Sequence, residues 1–110
     1  MSIHHANENN PAFTLGHWSV KPGSEKEFIG EWTAFAKWTI EHQPGVMGGR
    51  LLQETDRPGW FVSIGHWRDM ESVESWRRTP EFEEFLAKVK GLCVEITTQT
   101  MRPVAHVHAH

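Results

Sequence analysis

The chain has 110 residues, a formal charge of -3 at pH 7, six Trp, six Phe, no Tyr and a single Cys. That length bounds it to one domain with one core and a large surface for its volume, a situation that association relieves. The charge balance gives no support to a nucleic-acid or anionic-membrane partner, the lone Cys93 rules out an internal disulfide and a cysteine-based zinc site, and no apolar run approaches the roughly 20 residues of a membrane span.

Residues 1–12 read as a flexible polar arm. MSIHHANENNPAF has no basic segment followed by an apolar run, so a secretory signal is not expected. With the lone thiol, this points to the cytoplasm. FTLGHWSV (13–20) is rich in β-formers and is bounded by Lys21, Pro22 and Gly23, which predicts a strand. Ser24 with Glu27 three residues later predicts a capping box at a helix start. Phe28, Trp32, Phe35 and Thr39 follow at helical spacing, with Ile29, Ala36 and Ile40 one step round. This helix is expected to end before Gln43-Pro44-Gly45.

A second strand is predicted over 46–54, a turn at Asp56-Arg57-Pro58-Gly59, and a third strand over 60–67, paired with the second as a hairpin. Asp69 is placed to cap a short helix running to Trp76 or Arg77. Thr79 is a good N-cap with Pro80 at the first helical position. Phe82, Phe85, Leu86 and Val89 then mark a helical face that Gly91 ends. Residues 92–102 alternate as a strand, and 103–110 are a His-containing tail. No internal repeat or low-complexity segment stands out.

The order β-α-β-β-α-β predicts an α+β, ferredoxin-like fold, with a four-stranded antiparallel sheet and its helices on one face. A sheet with one wet face alternates cleanly. Here Phe13, Leu15, Trp18 and Val20, and likewise Trp60, Phe61, Val62 and Ile64, are apolar on both parities. A second copy covering the bare face, hence a homodimer, is the expectation.

VKPGSEKEF, PGVMGGRLLQETDRPGWFVSIGHW and RDMESVESWRRTPEF, in that order and spacing, resemble the antibiotic biosynthesis monooxygenase domain over about residues 13–102. The resemblance implies a dimeric α+β barrel with one pocket per subunit, between sheet and helices. Members similar in fold differ in chemistry. Some oxygenate phenols, anthrones or quinols with O2 and no cofactor, some cleave haem, and others have no established reaction, so the site must decide.

By that resemblance Trp76 is the sharpest candidate, since a Trp at this helix position presses on the porphyrin in the haem-degrading branch. That branch also carries an iron-ligating His ten residues on and an Asn on the first strand. Leu86 and Gly16 stand there instead, although haem iron needs a His, Cys, Met or Tyr ligand. Many quinol-oxidising relatives have His where Trp76 and Glu81 stand and Glu near Gly65, and this chain departs from them too.

Trp67, Trp18, Phe35, Phe82, Phe85 and Leu86 are either core or walls of a pocket for a small apolar aromatic ligand. His17 and His66, each beside a Trp in a predicted strand, are candidates to move a proton; the alternative is a sheet histidine facing solvent or a partner. Arg50, a charge inside a strand, could hold an anionic substrate or form a salt bridge. Arg77 and Arg78 read as a solvated helix end. His106, His108 and His110 alternate in the tail, where a flexible chain holds a metal poorly, and no metal site is assigned. No nucleotide-binding or nucleophile-elbow motif is present. The expected activity is cofactor-independent oxygenation of a phenolic or quinol-like molecule. Haem binding or degradation, and ligand binding without turnover by a dimeric module, are the alternatives.

Overall fold

A computed structural model describes residues 10–109. The expected N-terminal arm up to residue 9, with His4 and His5, and the terminal His110 lie outside the described residues. Strands β1 (Ala12–Val20), β2 (Val46–Gln53), β3 (Trp60–Trp67) and β4 (Cys93–Met101) form one sheet in the order β2-β3-β1-β4. Every pairing is antiparallel. Helices α1 (Glu25–His42), α2 (Met70–Arg77) and α3 (Pro80–Lys90) connect them. This is the ferredoxin-like α+β arrangement that the element order predicts.

The helix ends show which local rules operate. Asp69 accepts a hydrogen bond from the Ser72 amide at 2.8 Å and starts α2. The Ser72 side chain, with that amide bond, holds the Asp69 carboxyl below its ordinary pKa. Thr79 accepts from the Phe82 amide at 3.2 Å, ahead of Pro80. The capping box expected at Ser24 and Glu27 does not form, because Ser24 makes no side-chain cap bond. Gly23, at φ +91, turns its own amide onto Glu25, which accepts it at 2.9 Å. With this left-handed glycine the acidic partner is Glu25, two residues before the expected Glu27.

Strand parity sorts the side chains. Trp18, Val20, Phe61 and Trp67 are buried beneath the helices. Phe28 of α1 is fully buried and packs against Trp18 and Phe61, with ring centroids 5.4 and 5.1 Å away. Phe85, Val89 and Cys93 complete this cluster, and burial raises the Cys93 thiol pKa. A second cluster joins Ala12, Trp67 and Val73, with Trp76 against it.

The neighbouring residues on each strand point to the opposite face. Phe13, Leu15, Val62 and Ile64 are only half-buried there, while Leu52, Trp60 and Met101 are exposed.

Between Val46 and Gly48 the β2–β3 register slips at a bulge, where Gly48 sits at φ +148. Bulges bend a strand end and re-aim it. This one lies beside the cavity described below.

Phe28→Ala is expected to cost about 3–5 kcal/mol of stability, the usual range for emptying a filled aromatic site. Equilibrium urea unfolding measures it, and a loss under about 1 kcal/mol would mean that the ring does not organise this core.

Candidate active site

A cavity of about 340 Å³ lies between α1 and the helix-side face of the sheet, closed at one end by Trp76 of α2. Its size falls in the range of small-molecule sites. Trp32, Phe35, Trp67 and Trp76 are its aromatic walls, and Gly48, Gly49 and Gly65 line the sheet side. Thr14, Trp32, Phe35, Ser63 and Trp76 also line an inner recess of about 50 Å³. Trp18, Phe82, Phe85 and Leu86 border that recess, so they stand behind the main cavity.

Phe35 is the hub of the aromatic wall. Its ring stacks on Phe85 at 4.5 Å, and on Trp38 and Trp76 at 5.7 Å each. Trp76 meets Trp67 at 4.8 Å and Phe82 edge-on at 4.7 Å. The helical spacing of Phe35 and of Phe82/Phe85 thus serves core and pocket wall together.

The two buried indoles, and the half-buried one of Trp76, each find a hydroxyl. Trp18 Nε1 donates to Ser63 Oγ at 2.9 Å, Trp67 Nε1 to Thr14 Oγ1 at 3.1 Å, and Trp76 Nε1 to Thr39 Oγ1 at 3.0 Å. Thr39 passes its own proton to the Phe35 carbonyl at 2.9 Å. The first two pairs come from one device used twice. TLGHW on β1 and SIGHW on β3 run antiparallel, with Leu15 opposite Ile64, Gly16 opposite Ser63 and Thr14 opposite Gly65. Each Trp lies over the glycine two residues before it and reaches the hydroxyl on the other strand. At Gly16 a Cβ would lie 2.6 Å from Ser63 Oγ and 2.6 Å from the Trp18 ring. At Gly65 it would collide with Thr14 Oγ1 and crowd Trp67 Nε1.

Other candidate residues lie elsewhere. His17 and His66 occupy the opposite face of the sheet. Because Trp18 and Trp67 point at the helices, the residue before each must point away. His17 is exposed, and His66 stacks on Phe13 at 4.6 Å. Neither borders the cavity or its recess, so the structure does not bring them to a ligand held there. Arg50 is exposed on that same opposite face, across from Ile64.

Arg77 departs from the solvated helix end expected of it. It is half-buried and borders the recess, and burial lowers its pKa while Glu74 opposes that shift. Arg78 is exposed and donates to the Glu74 carbonyl at 3.2 Å. In the main cavity the ionisable lining residues are Lys37 and Glu41, both exposed. Among the described residues no group of three His, Cys, Asp or Glu is placed to hold a metal.

Thr14, Ser63, Thr39 and Trp32 were not legible as site residues one by one. The signal that could have found the first two is the pentapeptide echo itself, [T/S]-[L/I]-G-H-W at 14 and 63. Gly16→Ala is expected to cost about 1–3 kcal/mol by overpacking and to change tryptophan emission. Gly30→Ala is the control, since a methyl group there meets nothing within 4 Å. A stability loss at Gly16 no larger than at Gly30, read by urea unfolding, would show that the indole–hydroxyl pair does not need the glycine.

Residues 11–88 match the antibiotic biosynthesis monooxygenase family. Among solved structures, a candidate antibiotic biosynthesis monooxygenase from Nitrosomonas europaea is 18% identical with a TM-score of 0.78, covering 87% of this chain and 92% of that one. A conserved protein from Methanosarcina mazei is 18% identical with a TM-score of 0.78, over 89% and 97% of the two chains. SnoaB, a cofactor-independent oxygenase from Streptomyces nogalater, is 21% identical with a TM-score of 0.75, over 90% and 96%. These identities speak for a shared fold. No curated protein gives a significant match. The family match spans well over half of the sequence, and the chain belongs to the antibiotic biosynthesis monooxygenase family.

Proposed function

We propose that the protein is a cofactor-independent monooxygenase that oxidises a small phenolic or quinol-like aromatic with O2, working as a homodimer. The observation that carries this reading is the aromatic cavity of about 340 Å³ between α1 and the sheet. Family membership and the fold shared with SnoaB, itself described as a cofactor-independent oxygenase, support it. An electron-rich aromatic anion passes one electron to O2, and the radical pair combines to a peroxide anion, which takes up a proton to give the hydroperoxide. Loss of water then leaves a carbonyl. A ring CH2 and O2 thus become C=O and water, and the substrate supplies every electron. The protein's part is orientation and stabilisation of the anion.

A haem-degrading reading has Trp76 in its favour and little else. No His, Cys, Met or Tyr borders the cavity or its recess, and those are the side chains that ligate haem iron. Position 16 has no room for an Asn, because the Trp18 ring and Ser63 fill that space. The residues present do not fit haem. Binding without turnover is the remaining alternative, favoured by the lack of a buried base in the cavity wall.

Oxygen-electrode assays with a panel of anthrones and hydroquinones separate these readings. Expected are uptake of one O2 per molecule of anthrone, incorporation of one labelled oxygen atom from 18O2, and at least a tenfold fall in kcat/KM for the cavity-filling Ala36→Phe. Quenching of tryptophan emission by the panel without oxygen uptake would establish a binding module instead.

The dimer is tested separately. The half-buried apolar residues of the open face are expected to give a species of twice 12.7 kDa in sedimentation equilibrium, and Val62→Asp is expected to give a monomer. A wild-type monomer at micromolar concentration would reject the dimer.

A further inference from the structure

Resting on the reading of the cavity just given, we infer that Thr14 and Ser63 are a preset pair of hydrogen-bond donors which, with Arg77, hold the oxygen-bearing edge of an anionic aromatic ligand. An indole N–H donates and never accepts. Thr14 and Ser63 must therefore present oxygen lone pairs to Trp67 and Trp18. Their own hydroxyl hydrogens are turned elsewhere.

Thr39 shows the contrast. It too accepts from an indole, yet its proton goes to the Phe35 carbonyl. Among the described residues, no protein acceptor takes the proton of Thr14 or of Ser63. Both residues are 8% exposed, and both line the main cavity and its inner recess. The cavity opens to solvent, so a ligand that displaces water from it must take over these hydrogen bonds or leave both donors unmet, and a ligand oxygen does the former.

The local two-fold between TLGHW and SIGHW presents the two donors in the same way. Thr14 and Ser63 are diagonal neighbours across β1 and β3, and such side chains stand roughly 7 Å apart at Cβ. That spacing fits oxygens on one ring system. Arg77 borders the recess that both hydroxyls share. It makes no hydrogen bond or ion pair among the described residues, whereas Arg57, Arg68 and Arg78 each do. A half-buried guanidinium with open donors favours an anion.

No buried base faces the ligand, since Lys37 and Glu41 are the ionisable lining residues of the main cavity and both are exposed. The ligand class is therefore an aromatic whose hydroxyl is acidified by a neighbouring carbonyl and which is already ionised near neutral pH.

The test uses the full chain and two probes, 2-hydroxy-1,4-naphthoquinone, an anion at neutral pH, and naphthalene, which has no oxygen. Binding is read by quenching of tryptophan emission, corrected for absorption by the probe. The wild type is expected to bind the hydroxyquinone at least tenfold more tightly. Thr14→Val and Ser63→Ala are each expected to weaken hydroxyquinone binding about tenfold and naphthalene binding less than twofold. Arg77→Gln is expected to do the same. Thr14→Ser, which keeps the hydroxyl, is expected to restore hydroxyquinone affinity to within threefold of wild type.

Equal losses for both probes would mean that the hydroxyls only satisfy the indoles, and the inference fails. Equal wild-type affinities would also overturn it while leaving the apolar cavity intact. Binding of neither probe would sink the inference together with the ligand-site reading. A failure of oxygen uptake alone leaves the donor pair standing, because no turnover enters this test. Should Thr14→Val fold poorly, Ser63→Ala and Thr14→Ser decide the matter by themselves.

Discussion

A buried indole N–H must find an acceptor, and much of this protein's central geometry follows from meeting that demand three times. Trp18 and Trp67 are buried under the helices, Trp76 of α2 is half-buried against Trp67, and each indole donates to a hydroxyl. Leaving such a donor unmet costs about 1–3 kcal/mol, comparable to what burying a large side chain contributes. On the sheet the acceptors are Ser63 and Thr14, on neighbouring strands. For an indole to lie flat and reach across, the residue beneath it must lack a side chain. Gly16 and Gly65 are that residue. The space at those two points is filled by the indoles and hydroxyls themselves, whereas at Gly48 on β2, which lines the cavity, a Cβ would meet nothing within 4 Å. The tryptophans with their polar edges satisfied thus form the cavity's sheet-side wall.

The same alternation decides what the other face of the sheet carries. Once Trp18 and Trp67 point toward the helices, His17 and His66 point away, as do Phe13, Leu15, Val62 and Ile64. The histidines accordingly sit among the half-buried apolar residues of the open face. His66 lies flat on Phe13 with the rings 4° from parallel, a packing arrangement rather than a poised base. A ferredoxin-like sheet whose uncovered side is this apolar exposes surface that association would bury, which is the ground for the proposed second copy.

The fold was legible because its signals are local or periodic. Strand lengths, the Pro-Gly turns, the caps at Asp69 and Thr79 and the helical spacing of Phe28, Phe35, Phe82 and Phe85 are each set within a few residues. Each appears where expected. The cap at Ser24 misled because Gly23 adopts a left-handed conformation that no pattern of polar residues announces.

The site was legible only in part. Phe35, Trp67 and Trp76 were visible as large aromatics. Which of two adjacent residues, His17 or Trp18, faces the ligand depends on one step of parity, and that is fixed by contacts with helices far away in sequence. Thr14 and Ser63 carry no chemical flag of their own. Their meaning arises only when two strands 45 or more residues apart are laid side by side. Arg77 looked like its exposed neighbour Arg78, because only α2's placement against the recess separates them.

A cavity of this make has consequences for the kind of chemistry it can assist. Dispersion against stacked rings orients a planar molecule but does little to choose between neutral and ionised forms. That choice falls to the few polar atoms, and they are hydroxyls whose oxygen is already engaged, with a guanidinium behind them. Such groups stabilise negative charge and have no capacity to remove a proton. Once a ligand displaces water from the cavity, their effect on an anion is larger than it would be in bulk water. On this reading the protein favours the ionised form of a ligand that must supply its own acidity, and the gain is largest for the more acidic ligands. Selectivity in this site comes from ligand acidity as well as shape, a division of labour that the fold permits but that this pair of pentapeptides sets.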